Sequence, residues 1–145
     1  MALPRGSLFF FLILITSSSI FTGKVIYISD GDTITVLTKH KKQIKIRLEG
    51  IDCPEKNQAF GTKAKQAISE LCKKNVIIRK SSTDRYGRTI GFVYVDEINV
   101  NKELIKLGLA WHYKYFNKDK ELAQLEEKAR NQQIGIWSEP NPITP

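Results

Sequence analysis

The chain is poor in the residues that build stapled folds. Its 145 residues include two cysteines, Cys53 and Cys72, two histidines, His40 and His112, and one methionine. No zinc-ligand spacing exists among them, and two cysteines make no disulfide scaffold. Cys53 falls in an acid-rich loop and Cys72 at the inward end of a predicted helix, so the pair is read as unbridged thiols. Long apolar runs are missing too. The one at residues 8–15, even stretched to Phe21, falls short of the ~20 residues a spanning helix needs. There is no internal repeat and no low-complexity tract. Acids are the scarcer charge: 15 Asp and Glu against 23 Lys and Arg leave +8 and a pI near 9.5. That balance favours a polyanionic partner. With 41% hydrophobic and 26% charged residues, the chain has the composition of one globular domain with a real core.

What is present begins with a leader. Arg5 precedes the apolar stretch 8–15, and Thr16, Ser17, Ser18 and Ser19 follow it. Charged, apolar and small-residue zones in that order predict an export signal over residues 1–19, cut near Ser19. Its loss removes one charge, Arg5, and leaves a mature chain of +7. The expected location is secreted or periplasmic, with no stable membrane association after the cut. Residues 20–137 are the expected domain, and 138–145 a Pro-rich tail.

Residues 24–29 predict a strand closed by an Asp30-Gly31 turn. Residues 33–37 and 43–49 alternate, with Ile44, Ile46 and Leu48 on one face and Lys45, Arg47 and Glu49 on the other. Period two fixes the register. If Ile34 and Val36 share a core face with Ile46 and Ile44, Thr33 lies opposite Arg47, because a one-residue slip would turn an apolar row into water. Asp32 is then carried toward the loop that holds Asp52 and Glu55. Further on, Phe60, Ala64, Ala67, Ile68 and Leu71 predict a helix over 60–73. Strands follow at 76–80 and 89–95, separated by a turn-rich loop, then helices at 101–107 and 118–131. In the last helix Leu122, Leu125 and Ala129 face inward, and Glu126 and Arg130 form an i,i+4 pair. The layout predicts an α+β fold, a five-stranded OB-type barrel with three docked helices.

Taken alone, "DGDT" at 30–33 is a hairpin turn. It does not open an EF-hand, because the twelfth position from Asp30 is Lys41 where a glutamate is needed. Asp32 and Asp52 converging without a lysine between them repel unless a proton or a cation intervenes. A hard, oxygen-liganded ion, calcium or magnesium, is the economical solution. Arg47 and Arg88 carry the planar fork that grips phosphate bidentately, and a carboxylate such as Glu55 can orient or deprotonate water. No local pattern brings Arg88 to Arg47.

In this order "DGDT", "RLEGIDCPE", "DRYGR" and "VNKELIKLGLAW" resemble the staphylococcal nuclease-like (thermonuclease) family, from about residue 24 to residue 137. The resemblance implies an OB-type barrel and calcium-dependent endonucleolytic cleavage of DNA and RNA that leaves 3′-phosphate ends. It implies calcium ligation by Asp32, Asp52 and the backbone carbonyl of Cys53, with Asp30 behind them. Arg47 and Arg88 would grip the phosphate and Glu55 would orient or activate water. Arg85, Tyr86 and one of Tyr113 or Tyr115 would contact the nucleotide. Cys53 stands where the family's best-known member has threonine, a change that leaves a main-chain ligand intact. The expected partner is DNA or RNA, preferably single-stranded, and the expected state is a monomer. Two other classes compete. A non-catalytic OB-fold nucleic-acid-binding module would lack Arg47, Glu55 or Arg88, and all three are present. A membrane-docking protein would need a basic amphipathic stripe wider than the 60–73 helix offers.

Overall fold

Two-residue periodicity builds the first half of the fold. In the computed structural model, which describes residues 19–115 and 117–145, β1 (Ile20–Asp30), β2 (Thr33–Leu37) and β3 (Gln43–Leu48) form an antiparallel meander. The register is the one alternation predicts: Ile34 pairs with Ile46, and Thr33 with Arg47. Ile34, Val36 and Ile46 are fully buried, each worth about 1.5–3 kcal/mol of transfer free energy. The predicted leader lies outside the described residues, apart from Ser19.

The first strand begins at Ile20 rather than residue 24. Its opening residues Ile20, Phe21, Thr22 and Gly23 pair with Arg79, Ile78, Ile77 and Val76 of β5 (Val76–Thr83). That partner is more than fifty positions away, so nothing local announces it. β6 (Thr89–Val95) runs antiparallel to β5 and parallel to β3, pairing Ile46 with Thr89 and Arg47 with Ile90. Five strands thus close in the order β3-β2-β1-β5-β6 and back to β3.

Three helices dock on the barrel. α1 (Gly61–Leu71) buries Ala64 and Ile68. β7 (Ile98–Asn99) extends the edge of the sheet at β6 and leads into α2 (Val100–Lys106), which Asn99 caps by accepting from the Lys102 amide. α2 buries Leu104 and Ile105. Two residues each of β4 (Ile51–Asp52) and β8 (Trp111–His112) make a small second sheet that pairs Asp52 with Trp111. α3 runs over Lys120–Gln132, starting two residues later than its apolar spacing predicts, because Asp119 caps the Glu121 amide at 2.8 Å.

Glu126 does more than make its expected i,i+4 pair with Arg130. It is 2% exposed, forms ion pairs with Arg130 at 3.0 Å and Lys114 at 3.3 Å, and accepts the His112 amide. A buried carboxylate needs such partners, and here they pin β8 to α3. Both cysteines are buried free thiols. No helix among the described residues is long and apolar enough to cross a membrane.

Candidate active site

The end of the β2–β3 hairpin sets Asp32 and Arg47 side by side, since Thr33, next to Asp32 in the chain, is the register partner of Arg47. Leu48 donates its amide to the Asp32 carbonyl at 2.8 Å and holds that turn against the strand end. From β3 the chain passes the left-handed Gly50 into β4, which carries Asp52. Arg47 is pinned among these segments. Its Nη1 donates to the carbonyls of Leu48 (2.9 Å) and Ile51 (2.8 Å), while Nη2 lies 3.3 Å from Asp52 Oδ1 and 3.7 Å from Asp32 Oδ2. The two aspartates that the hairpin register brings together therefore share a guanidinium.

Asp32 is buried and accepts the Cys53 amide at 2.8 Å and the Thr33 hydroxyl at 3.1 Å. Asp52 is pushed up from 3.8 to about 6. Burial contributes most and Arg47 pulls the other way. The charge and hydrogen bond of Asp32 and the charge of Glu55 push it higher. Arg47 thus offsets only part of what burial and the neighbouring acids do together. Among the described residues no three His, Cys, Asp or Glu side chains gather into a ligand set. The site offers two carboxylates and main-chain oxygen, a donor set whose chemistry fits a hard cation. The thiol of Cys53 is no candidate ligand, because burial and then Asp32 push its pKa well above the ordinary value.

Glu55 sits three residues beyond Asp52 on an exposed loop, near enough to raise the Asp52 pKa. The loop folds back on α1. Gln58 accepts the Glu55 amide at 2.8 Å, and a Cβ on Gly61 would lie 2.0 Å from the Glu55 carbonyl oxygen. Only a glycine allows this approach. Asp30, at the end of β1, acts on the same cluster through its charge and reaches Cys53 only as a minor influence.

Arg88 comes from the other side of the barrel. It immediately precedes Thr89, the partner of Ile46, so the parallel β3–β6 closure delivers it to the flank of Arg47. Asp84 orients it, accepting from Arg88 Nε at 2.7 Å and from the Arg88 amide at 2.9 Å. These bonds hold Asp84 below its ordinary pKa. Arg47 and Arg88 line one open groove of about 670 Å³, together with Arg85, Tyr86 and Tyr113. Tyr86 is 71% exposed, with the guanidinium groups of Arg85 and Arg88 lying 5.2 and 5.7 Å from its ring centre. Tyr115 is not brought to the groove and stands 91% exposed. Of the alternative tyrosines, the groove takes Tyr113.

Three contributors escape sequence reasoning. Asp84 carries a signal, an aspartate three residues before Gly87 in a turn. Gly61 carries none, since its need is a close approach from a distant loop. Asn101, fully buried, donates to the carbonyls of Glu49 (2.9 Å) and Gly91 (3.2 Å) and accepts the Val93 amide, which ties the end of β3 to β6. A buried amide with its bonds satisfied rigidifies what it joins.

Comparison with known proteins agrees with this geometry. Residues 45–139 match the family model described as staphylococcal nuclease homologue. An uncharacterized endonuclease of Haemophilus influenzae is 48% identical, over 86% of this chain and 70% of its own length. Protein ParB of Escherichia coli is 41% identical over 85% and 76%. Micrococcal nuclease of Shigella flexneri is 39% identical over 86% and 78%.

Proposed function

Because the chain belongs to the staphylococcal nuclease family, we propose that it is an exported, calcium-dependent endonuclease that hydrolyses DNA and RNA. The observation that carries this reading is the meeting of Arg47 and Arg88 in one groove beside a carboxylate pair. A pure binding surface has no need of a buried and a half-buried acid that repel each other next to its phosphate grip.

Asp32, Asp52 and the Cys53 carbonyl would hold the cation, calcium by family resemblance. Bound there, a cation would supply positive charge at the site and relieve the repulsion between the two acids. Glu55 orients a water and accepts its proton. The water oxygen bonds to phosphorus and the bond to the 5′ oxygen breaks, that oxygen taking a proton from solvent water, to leave a 3′-phosphate and a 5′-hydroxyl. Arg47 and Arg88 donate to the phosphate oxygens as charge builds there, an interaction stronger in the transition state than before it. No 2′-hydroxyl takes part, so DNA and RNA both serve. Tyr86, exposed at the groove, offers a face for an unpaired base, which favours single strands. Export is supported by the leader pattern and by β1 starting at Ile20, so that a cut near Ser19 spares the first barrel strand.

The test is digestion of plasmid DNA and of RNA by the purified protein, with calcium and then with excess EGTA. Cleavage that stops in chelator and yields 3′-phosphate ends supports the reading. Undiminished activity in EGTA overturns the metal assignment. Tight binding without cutting under all conditions returns the chain to the binding-module class.

A further inference from the structure

The turn between β5 and β6 separates two cavities, and the groove takes only one of its sides. Ser82, Asp84, Arg88 and Ile90 line the arginine groove, whereas Thr83, Gly87 and Thr89 line a second cavity of about 370 Å³ on the other side. The walls of that second cavity bring in Lys42, Lys45 and Lys80 and no acidic residue. Among the described residues none of the three lysines is in an ion pair. The nearest acids in sequence, Glu49 and Asp84, both line the arginine groove instead, where Ser81 donates to Glu49 at 2.6 Å and Arg88 pairs with Asp84. Lys39 and Lys41 add exposed charge at the tip of the same β2–β3 hairpin.

The two cavities are joined by one row of side chains. Lys45 and Arg47 are two apart on β3 and so share its outer face. Their separation along the strand is roughly 6.6 Å, a step comparable to one nucleotide. Arg47 faces the groove and Lys45 faces the lysine cavity. Three ammonium groups with no paired acid around one polar hollow make a local positive potential that attracts an anion. A strand with regular phosphates that leaves the groove along β3 meets such a hollow next.

We propose that the Lys42–Lys45–Lys80 cavity is a phosphate subsite for the polynucleotide strand, holding a nucleotide beyond the one at the arginines. The inference rests on the nuclease reading above and deepens it. Lysine suits this position because a passing backbone needs charge without fixed geometry, while the arginines need a planar fork. The subsite makes long strands better substrates than short ones, and it adds to the salt dependence of binding.

The test uses the purified protein, a Lys42→Gln/Lys45→Gln double variant, and a triple variant that adds Lys80→Gln. Affinity for a single strand of about 12 nucleotides, within the span an OB barrel covers, is measured in chelator over a salt series. Each phosphate contact on a single strand contributes about 0.7 to the slope of log affinity against log salt. The subsite holds one phosphate, so the slope should fall by about 0.7 in the triple variant, with most of that fall already present in the double. Replacing the same lysines by arginine should restore it. With calcium, cleavage of the long strand should slow while a dinucleotide is cut at the wild-type rate. An unchanged slope in the double variant, which leaves half-buried Lys80 in place, overturns the proposal. Equal slowing on long strand and dinucleotide overturns it as well. If the wild-type protein cuts neither substrate, the nuclease reading fails, and the slope alone decides the subsite.

Discussion

Arg47 Nη2 lies 3.3 Å from Asp52 Oδ1 while Nη1 of the same guanidinium is committed to two carbonyls. The arginine that would grip phosphate is thus also the counter-ion of a residue that would hold the cation. The two roles trade against each other. A cation held by Asp52 would release Nη2 of Arg47 toward the groove, so on the proposed reading metal and phosphate would favour one another's binding.

Arg47→Lys separates these roles. The charge survives, and long-range attraction to nucleic acid with it, but an ammonium cannot span two carbonyls and a carboxylate. Turnover should fall about 10²–10³-fold, the usual loss for one transition-state donor, while oligonucleotide affinity changes little. Glu55→Gln should cut as slowly through loss of its carboxylate. Single-turnover cleavage and affinity on the same oligonucleotide check both variants, and wild-type cutting rates would place the chemistry elsewhere.

The raised Asp52 pKa gives calcium-free stability a definite slope. Between about pH 4 and pH 6 the folded state holds a proton that the unfolded chain, with an ordinary value of 3.8, has released. Stability from this group therefore falls as pH rises through that window. Melting temperatures in chelator should show the decline in wild type and lose it in Asp52→Asn. Calcium should stabilise more at pH 7 than at pH 5, because at the lower pH it competes with the proton. Asp84, held below its ordinary value, acts in the opposite sense and under more acid conditions, losing its contribution as pH falls below about 4.

Gly61→Ala tests whether the α1 terminus positions Glu55. The added Cβ meets backbone 2.0 Å away, which a flexible side chain cannot absorb. The Glu55 loop must move, while Asp32 and Asp52 on their strands need not. Cleavage should drop at least about tenfold, whereas the calcium-induced rise in melting temperature persists. Loss of both together would mean the substitution simply unfolds the region.

Asp84→Asn removes the charge that aims Arg88 and keeps a side-chain oxygen for the Tyr86 and Arg88 amides. The turn should hold and the guanidinium should swing. Cleavage should slow roughly tenfold, since a displaced catalytic group is costly even at an ångström. A crystal structure of the variant with Arg88 unmoved, or wild-type cleavage, would dismiss the positioning role.

How much of this was legible depended on distance along the chain. The Thr33–Arg47 register followed from alternation over adjacent strands, so Asp32, Arg47 and the 52–55 loop could be gathered from pattern. Arg88 could not, because a parallel pairing between residues 46 and 89 leaves no periodic trace in either strand. The start of β1 was hidden for another reason: Ile20 and Phe21 continue an apolar stretch that reads as leader, and their partner is β5. Strands of two residues, as at 51–52 and 111–112, are too short for any period. Of the partners of Glu126, spacing gave only Arg130, because Lys114 and the His112 amide lie off its helix.

The β3–β6 seam gives the protein a built-in delay. Residues 46 and 89 must meet before Arg47 and Arg88 share a groove, and contacts at such separation form late and slowly. A chain held extended, on a ribosome or a chaperone, owns all the residues and none of the site. A cell that makes this protein is shielded from it by topology for as long as the barrel stays open.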